Sequence, residues 1–177
     1  MKRDQSRELV QRHVRAVPDF PKPGILFRDI TPLLGDADAF KAAIDLMTHE
    51  VLDLRVETVV AIESRGFLFG APLALALGAA LVPVRKPGKL PYHKRRVEYA
   101  LEYGTDALEM HHDAIRPGSR TLIVDDVIAT GGTAAAAVDL VRQAGGDPIG
   151  HAFFIELAFL EGRKRLLPLE VRSVLTY

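Results

Sequence analysis

The sequence predicts an α/β fold: a central, mostly parallel sheet with helices on both faces. Three observations carry that reading. Short β-branched or apolar runs alternate with longer helical patterns. Several of those runs are apolar throughout, as buried strands are. Three loops, 63–66, 85–89 and 125–133, leave the carboxyl ends of predicted strands, where open α/β sheets bind ligands.

Each element follows from its own residues. Leu9, Val10, His13, Val14 and Val17 mark one face of a helix over about Ser6–Val17. Pro18, Pro21, Pro23 and Gly24 then force an extended, turning segment. Asp36–Leu54 reads as an amphipathic helix with Phe40, Ile44, Met47, Val51 and Leu54 on one side. Thr58–Ile62 is a strand, Phe67–Leu77 a helix and Ala79–Val84 a second strand. Arg85–Pro91 is a basic loop. His93–Asp113 has no long apolar run and is expected to be a flexible excursion with short strands. Arg120–Val124, Ala134–Ala144, Ile149–Leu157 and Val171–Thr176 read as strand, helix, strand, strand. With no internal repeat and no dividing linker, residues 1–177 are expected to form one domain, with 1–34 as an N-terminal arm and 85–104 as a flexible loop region.

Composition narrows the function. Lys and Arg number 23, as do Asp and Glu, so the formal net charge is zero. A broad basic face for nucleic acid is not expected. There are no cysteines, which excludes disulfides and Cys-zinc sites. The polar start Met1–Arg7 lacks the apolar core of a signal peptide. The apolar stretch Phe67–Val84 is broken by Gly70, Pro72, Gly78 and Pro83, so no membrane span is expected and a cytoplasmic location is implied.

The most informative stretch is Thr121–Thr133, TLIVDDVIATGGT. An apolar strand leads into Asp125 and Asp126, then a small-residue loop, then a helix. Glycines let a backbone turn its N–H groups inward, and a helix amino end adds positive potential, so the loop suits a phosphate. Thr130 and Thr133 add hydroxyl donors. The carboxylates would repel phosphate, but they accept hydrogen bonds from sugar hydroxyls. The combination describes a site for a phosphoribosyl group. It is not a P-loop, since no Lys follows Gly132, and no strand is followed by G-x-G-x-x-G. Ser64, Arg65, Arg85, Lys86 and Lys89 supply donors at two further strand ends. Taken alone, Arg85–Lys89 would be surface charge. Arg65 stands out because it lies between a buried strand and a buried helix, where exposed charge is less expected.

The loop at 125–133 resembles the phosphoribosyl-diphosphate motif of the type I phosphoribosyltransferases. ESRGFLFG at 63–70, RKPGKLP at 85–91, LEYG at 101–104 and FPKPGILFRDITPLL at 20–34 extend the resemblance over about Val10–Leu167. The last string is similar to the adenine-specific branch of that family. The resemblance implies transfer of the 5-phosphoribosyl group from 5-phosphoribosyl 1-diphosphate to N9 of adenine, giving AMP and diphosphate. It implies that the N-terminal segment is a hood over the base, with the Leu26 backbone at the adenine edge, Phe27 stacking, Arg28 nearby and Leu157 on the other face. Asp125 and Asp126 would hold the ribose hydroxyls. Ala129, Thr130, Gly131, Gly132 and Thr133 would wrap the 5′-phosphate. Ser64 would bind the diphosphate donor, Arg85, Lys86 and Lys89 would meet diphosphate across a homodimer interface as in relatives, and Arg65 would contact base or diphosphate. Glu102 is the implied proton-handling group, with Tyr103 beside it in a loop that closes over the site. Mg²⁺ is expected to arrive with the substrate's phosphates, not in a protein cage.

Residues 92–98 are more basic than the Thr- and Ser-containing loop of relatives. The six histidines show no metal-ligand spacing, and HEVLD at 49–53 is not H-E-x-x-H. Transfer to hypoxanthine, guanine, xanthine or orotate is the competing enzymatic reading. A regulator that binds the diphosphate donor without catalysis is the reading from another class.

Overall fold

The computed structural model describes residues 3–100 and 104–177. Helix α1 (Arg3–Arg12) stops at Arg12, not at Val17. Arg15–Pro18 instead forms β1, antiparallel to β2 (Leu26–Asp29), with Arg15 opposite Asp29 and Pro18 opposite Leu26. The Arg15 guanidinium contacts the Asp29 carboxylate at 2.6 Å, and Pro18 has no N–H with which to continue a helix. The apolar residues Val14 and Val17 thus fit a helical period without being helical. In the connecting turn, Asp19 has φ 56° and its carboxylate accepts the Gly24 N–H at 2.8 Å. The rings of Phe20 and Phe27 meet edge to face at 5.1 Å. A short helix, α2 (Thr31–Leu34), follows. Its first residue donates from both N–H and hydroxyl to Asp29, which holds that carboxyl down at about 2.

Helix α3 (Ala37–Val51) is capped by Asp36, whose carboxylate accepts the Ala39 N–H at 2.8 Å. It ends at Val51, and Leu52–Leu54 is a 3₁₀ turn closed by Arg55 at φ 50°. Its buried residues are Ala39, Ala42, Ala43, Leu46, Met47 and Val51, whereas Phe40 and Ile44 are half-buried. The buried stripe is therefore rotated from the expected one, because small alanines fit where bulky side chains do not. By its contacts the chain divides into two compact units, Met1–Leu46 and Met47–Tyr177, with the boundary inside α3.

The second unit contains β3 (Thr58–Ile62), α4 (Gly66–Leu77), β4 (Ala80–Val84), β5 (Lys94–Ala100), β6 (Thr105–His111), β7 (Arg120–Ile128), α5 (Gly132–Gln143), β8 (Asp147–Glu156), α6 (Gly162–Arg165) and β9 (Val171–Thr176). Five of these strands form one sheet in the order β4-β3-β7-β8-β9, with every pair parallel. Strand β3 is buried at all five positions, as a strand covered on both faces must be. Its Val59 and Ala61 lie under α4, where a Cβ on Gly70 would come within 2.5 Å of the Ala61 Cβ. Only glycine permits that approach. Its Val60 and Ile62 join Ile123, α5 and the β5–β6 pair in a cluster on the opposite face. Helices therefore cover both faces, as the sequence predicts. From β3 the chain runs to β4 on one side and later to β7 on the other. The opening between β3 and β7 is the topological switch point, where ligands of such sheets bind.

Two departures bear on the site. His93–Asp113 holds two seven-residue strands in unbroken antiparallel register, Lys94 opposite His111 through Ala100 opposite Thr105. Tyr99, Ala107, Leu108 and Met110 are buried, so this hairpin supplies core, not only short strands in a loose excursion. Strand β7 also runs four residues past Val124, because the ten-residue β8 pairs with it as far as Ile128 opposite Glu156. Asp125 and Asp126 therefore stand on a strand and not in a loop.

Candidate active site

A cavity of about 420 Å³ opens at the carboxyl ends of β3 and β7. It is lined by Glu63–Arg65, Lys86, Asp125–Ala134 and Phe153. The size suits a small phosphorylated ligand. Of the residues expected to form the site, Ser64, Arg65, Lys86, Asp125, Asp126 and Ala129–Thr133 meet here. Arg85, Lys89 and Leu157 do not line it. Leu157 lies just beyond β8, half-buried, with its N–H donated to the Ile128 carbonyl. Leu26, Phe27 and Arg28 belong to β2 of the first unit. Glu102 and Tyr103 lie outside the described residues.

The two acids differ in surroundings. Asp126 is 6% exposed and paired with the Arg65 Nε at 2.6 Å. Asp125 accepts the Asp126 N–H at 2.8 Å. Burial, reinforced by the adjacent Asp126 charge, pushes the Asp125 carboxyl well above the usual carboxylate range, against the pull of Arg65. Such an acid gains from a ligand that donates hydrogen bonds to it. The Arg65 side chain is 46% exposed, so the expected burial is not what distinguishes it. Its ion pair and its place on the cavity wall do.

Helix α5 opens on Gly131 at φ 78°, and no side chain among the described residues caps its amino end. Its first-turn N–H groups have no intrahelical partners, which makes them donors for an anion. The loop before it is fixed from behind by α6, which the sequence reading missed. A Cβ on Gly162 would fall 2.1 Å from the Ala129 carbonyl oxygen and 2.9 Å from the Gly131 nitrogen. A Cβ on Gly131 would fall 2.6 Å from the Gly162 carbonyl oxygen. Here two backbones touch directly. Arg163 anchors α6 by two bonds to Glu156, at 2.9 and 2.5 Å, and Ser173 donates to the same carboxylate at 2.7 Å. These contacts hold Glu156 below the usual carboxylate range, Arg163 foremost.

Carboxylates also organise the basic segment after β4. Glu63 accepts the Arg85 guanidinium twice, at 3.2 Å each, and the Lys86 N–H at 2.9 Å. Burial favours the neutral acid at Glu63, but these donors outweigh it and set the carboxyl low. Buried Glu109 of β6 accepts the Gly88 N–H at 3.0 Å, and its backbone exchanges two bonds with Arg85. Lys86 Nζ bonds to Asp106 and, at 3.0 Å, to the Tyr99 hydroxyl. Glu63, Tyr99, Asp106 and Glu109 were not foreseen. The pairing signal for them lies in tertiary structure, although the alternation of Val97 and Tyr99 with charged neighbours did mark a strand. Among the described residues no group of three or more His, Asp or Glu side chains forms a metal cage. No helix among them is long and apolar enough to cross a membrane.

Comparison with known proteins matches this geometry. A model of the phosphoribosyl transferase domain fits residues 34–174. An adenine phosphoribosyltransferase of Thermobifida fusca is 52% identical, the alignment covering 95% of this chain and 96% of that protein. The crystal structure of adenine phosphoribosyltransferase from Rhodothermus marinus superposes with a TM-score of 0.91 at 52% identity, over 98% of this chain and 99% of that one. The enzyme from Saccharomyces cerevisiae, solved with adenine and an imino-altritol bisphosphate, gives 0.92 at 40% identity, over 97% and 99%. A parallel five-stranded sheet, a cavity at its switch point and relatives matched nearly end to end lead to one assignment: the chain belongs to the phosphoribosyltransferase family, in its adenine phosphoribosyltransferase branch.

Proposed function

We propose that this protein transfers the 5-phosphoribosyl group of 5-phosphoribosyl 1-diphosphate to N9 of adenine, releasing AMP and diphosphate in purine salvage. The observation that carries the reading is the joining of three features in one cavity: a carboxylate pair, an uncapped glycine-led helix start, and cationic side chains from two other strand ends. The yeast relative solved with adenine supports the choice of base.

In the reaction the bond from C1 of the ribose to diphosphate breaks, and a bond from C1 to N9 forms. Positive charge develops on the sugar as in glycoside hydrolysis. Asp125 and Asp126 accept the ribose hydroxyls. Backbone N–H groups of Ala129–Thr133, with the Thr130 and Thr133 hydroxyls, receive the 5′-phosphate. Ser64, Arg65 and Lys86 stabilise the departing diphosphate charge. Arg85 and Lys89 act on diphosphate within a homodimer. Leu26, Phe27, Arg28 and Leu157 select adenine, where backbone donor and acceptor tell a 6-amino from a 6-oxo purine. Glu102 takes the N9 proton, with Tyr103 against the base. Mg²⁺ bound to the diphosphate donor would offset phosphate charge, held by the donor's phosphates and water and not by a protein cage.

The test is AMP formation from adenine, the diphosphate donor and Mg²⁺, with hypoxanthine, guanine and orotate in parallel. AMP formed far faster than the other nucleotides is the expected result. Preference for another base would overturn the assignment of residues 26–28. Donor binding without turnover of any base would favour a regulator.

A further inference from the structure

The β5–β6 hairpin meets side chains of the cavity wall through Tyr99 and Asp106. Tyr99 is 7% exposed, and its ring belongs to the core cluster beneath α5. Its hydroxyl accepts from Lys86 Nζ at 3.0 Å, donates to an Asp106 carboxylate oxygen at 3.2 Å and accepts from the Thr133 hydroxyl at 3.4 Å. A phenol has one donor hydrogen and two lone pairs, so these three bonds saturate it. Lys86 lies on the segment after β4 and Thr133 in the first turn of α5, and both line the cavity. Among the described residues no other hydrogen-bonded group joins these two side chains.

We propose that Tyr99 and Asp106 are positioning residues that couple the two phosphate-holding loops. The inference rests on the reading of Lys86 as a diphosphate contact and Thr133 as a 5′-phosphate contact. An ammonium has three N–H donors. Asp106 and Tyr99 take two and leave one for diphosphate. A free lysine loses much of its rotamer freedom when it engages a ligand. Here most of that ordering is done beforehand by the hairpin. The other Asp106 oxygen accepts the Ala107 N–H at 2.7 Å, which fixes the carboxylate in turn. Burial works against the Lys86 charge, yet Asp106 and Tyr99 together hold its pKa above the ordinary value. The ammonium therefore stays charged while it waits. Through the Tyr99 oxygen, a shift of Thr133 on binding the 5′-phosphate is felt at Lys86.

The experiment is a set of kinetic cycles on the full chain. Tyr99→Phe removes only the hydroxyl and keeps the core ring. It should raise KM for the diphosphate donor roughly three- to tenfold, the usual worth of such hydrogen bonds, with kcat within about twofold and an unchanged melting midpoint. Lys86→Met and Thr133→Val, combined in the native background, should be non-additive in that KM by about threefold or more, and additive once Tyr99→Phe is present. A merely structural tyrosine would not produce that pattern. Additivity in both backgrounds would overturn the coupling. Asp106→Asn should also raise KM. A lowered KM would mean that Asp106 withholds Lys86, which overturns the positioning role. Inhibition by inorganic diphosphate with Mg²⁺ separates the two levels. If Lys86→Met leaves that inhibition unchanged, the diphosphate assignment of Lys86 fails and the coupling with it. If Lys86→Met weakens it and Tyr99→Phe does not, the coupling alone fails.

Discussion

His151 makes the stability of this protein pH-dependent in a way that can be measured. It stands on β8, wholly buried, with its ring stacked on Phe153 of the cavity wall. Among the described residues its Nε2 has no hydrogen-bond partner, and burial lowers its pKa from 6.5 to about 4. The folded state therefore holds the neutral ring, whereas the unfolded chain takes up a proton near 6.5. The stabilisation is complete above that value and is lost as pH falls through the window from 6.5 toward 4. A shift of this size corresponds to about 3 kcal/mol when the window is fully crossed, and to about 2 kcal/mol between pH 7.5 and pH 5.0. The assay is urea unfolding at those two pH values for the native protein and for His151→Gln, which is neutral throughout. Other groups titrate in both proteins, so the difference of the two losses isolates His151. The native protein should lose about 2 kcal/mol more than the variant. Losses equal within about 0.5 kcal/mol would refute the argument that burial keeps this ring neutral.

Two further substitutions separate function from stability. Asp125→Asn removes a charge that burial and Asp126 disfavour. Because its folded pKa is raised, the ionised form costs stability above that pKa. Melting at pH 8 should show a gain on the order of 0.5–2 kcal/mol, with donor use falling about tenfold or more; a lower melting point would contradict the electrostatic account. Gly162→Ala places a Cβ against the Ala129 carbonyl and the Gly131 nitrogen, which are backbone atoms that cannot rotate away. It should cost about 1–3 kcal/mol and raise KM for the diphosphate donor. An unchanged KM would show that α6 does not set the loop.

The sequence exposed most plainly those parts of the fold whose signal is local. Thr58–Ile62 and Val171–Thr176 are strands over the residues expected, since β-branched and apolar runs stand out against their neighbours. A glycine turn followed by an alanine-rich helix was plain too, although the loop expected at 125–133 is shorter, since β7 runs to Ile128 and α5 starts at Gly132 and not at Ala134. The hairpin contains no long apolar run to announce it, although the alternation of Lys94, Arg96 and Glu98 with half-buried Val97 and buried Tyr99 is the pattern of a half-covered strand. The extension of β7 through Asp125 and Asp126 depends on a partner, β8, that no local window contains. The carboxylates that organise the site's cations come from distant positions. Glu63 meets Arg85 and Asp106 meets Lys86, and only the folded chain brings them together. The tight backbone contact of Gly162 with the loop has no side-chain signature at all.

The edge of the central sheet has a consequence of its own. In β4 the residues that bond toward β3 are Ala80 and Val84, whose N–H and carbonyl pair with Glu57 and Glu63. Val82 shares their side, so Leu81 and Pro83 turn their backbone outward. Pro83 has no N–H to offer there. Two residues later the outward groups of Arg85 are consumed by Glu109 of the hairpin. Leu81 is left as the one outward N–H donor of β4. A foreign strand seeking to add to this side would find a missing donor and then an occupied pair. The segment that delivers Arg85 and Lys86 to their places thus also guards this edge of the sheet against runaway pairing during folding at high concentration.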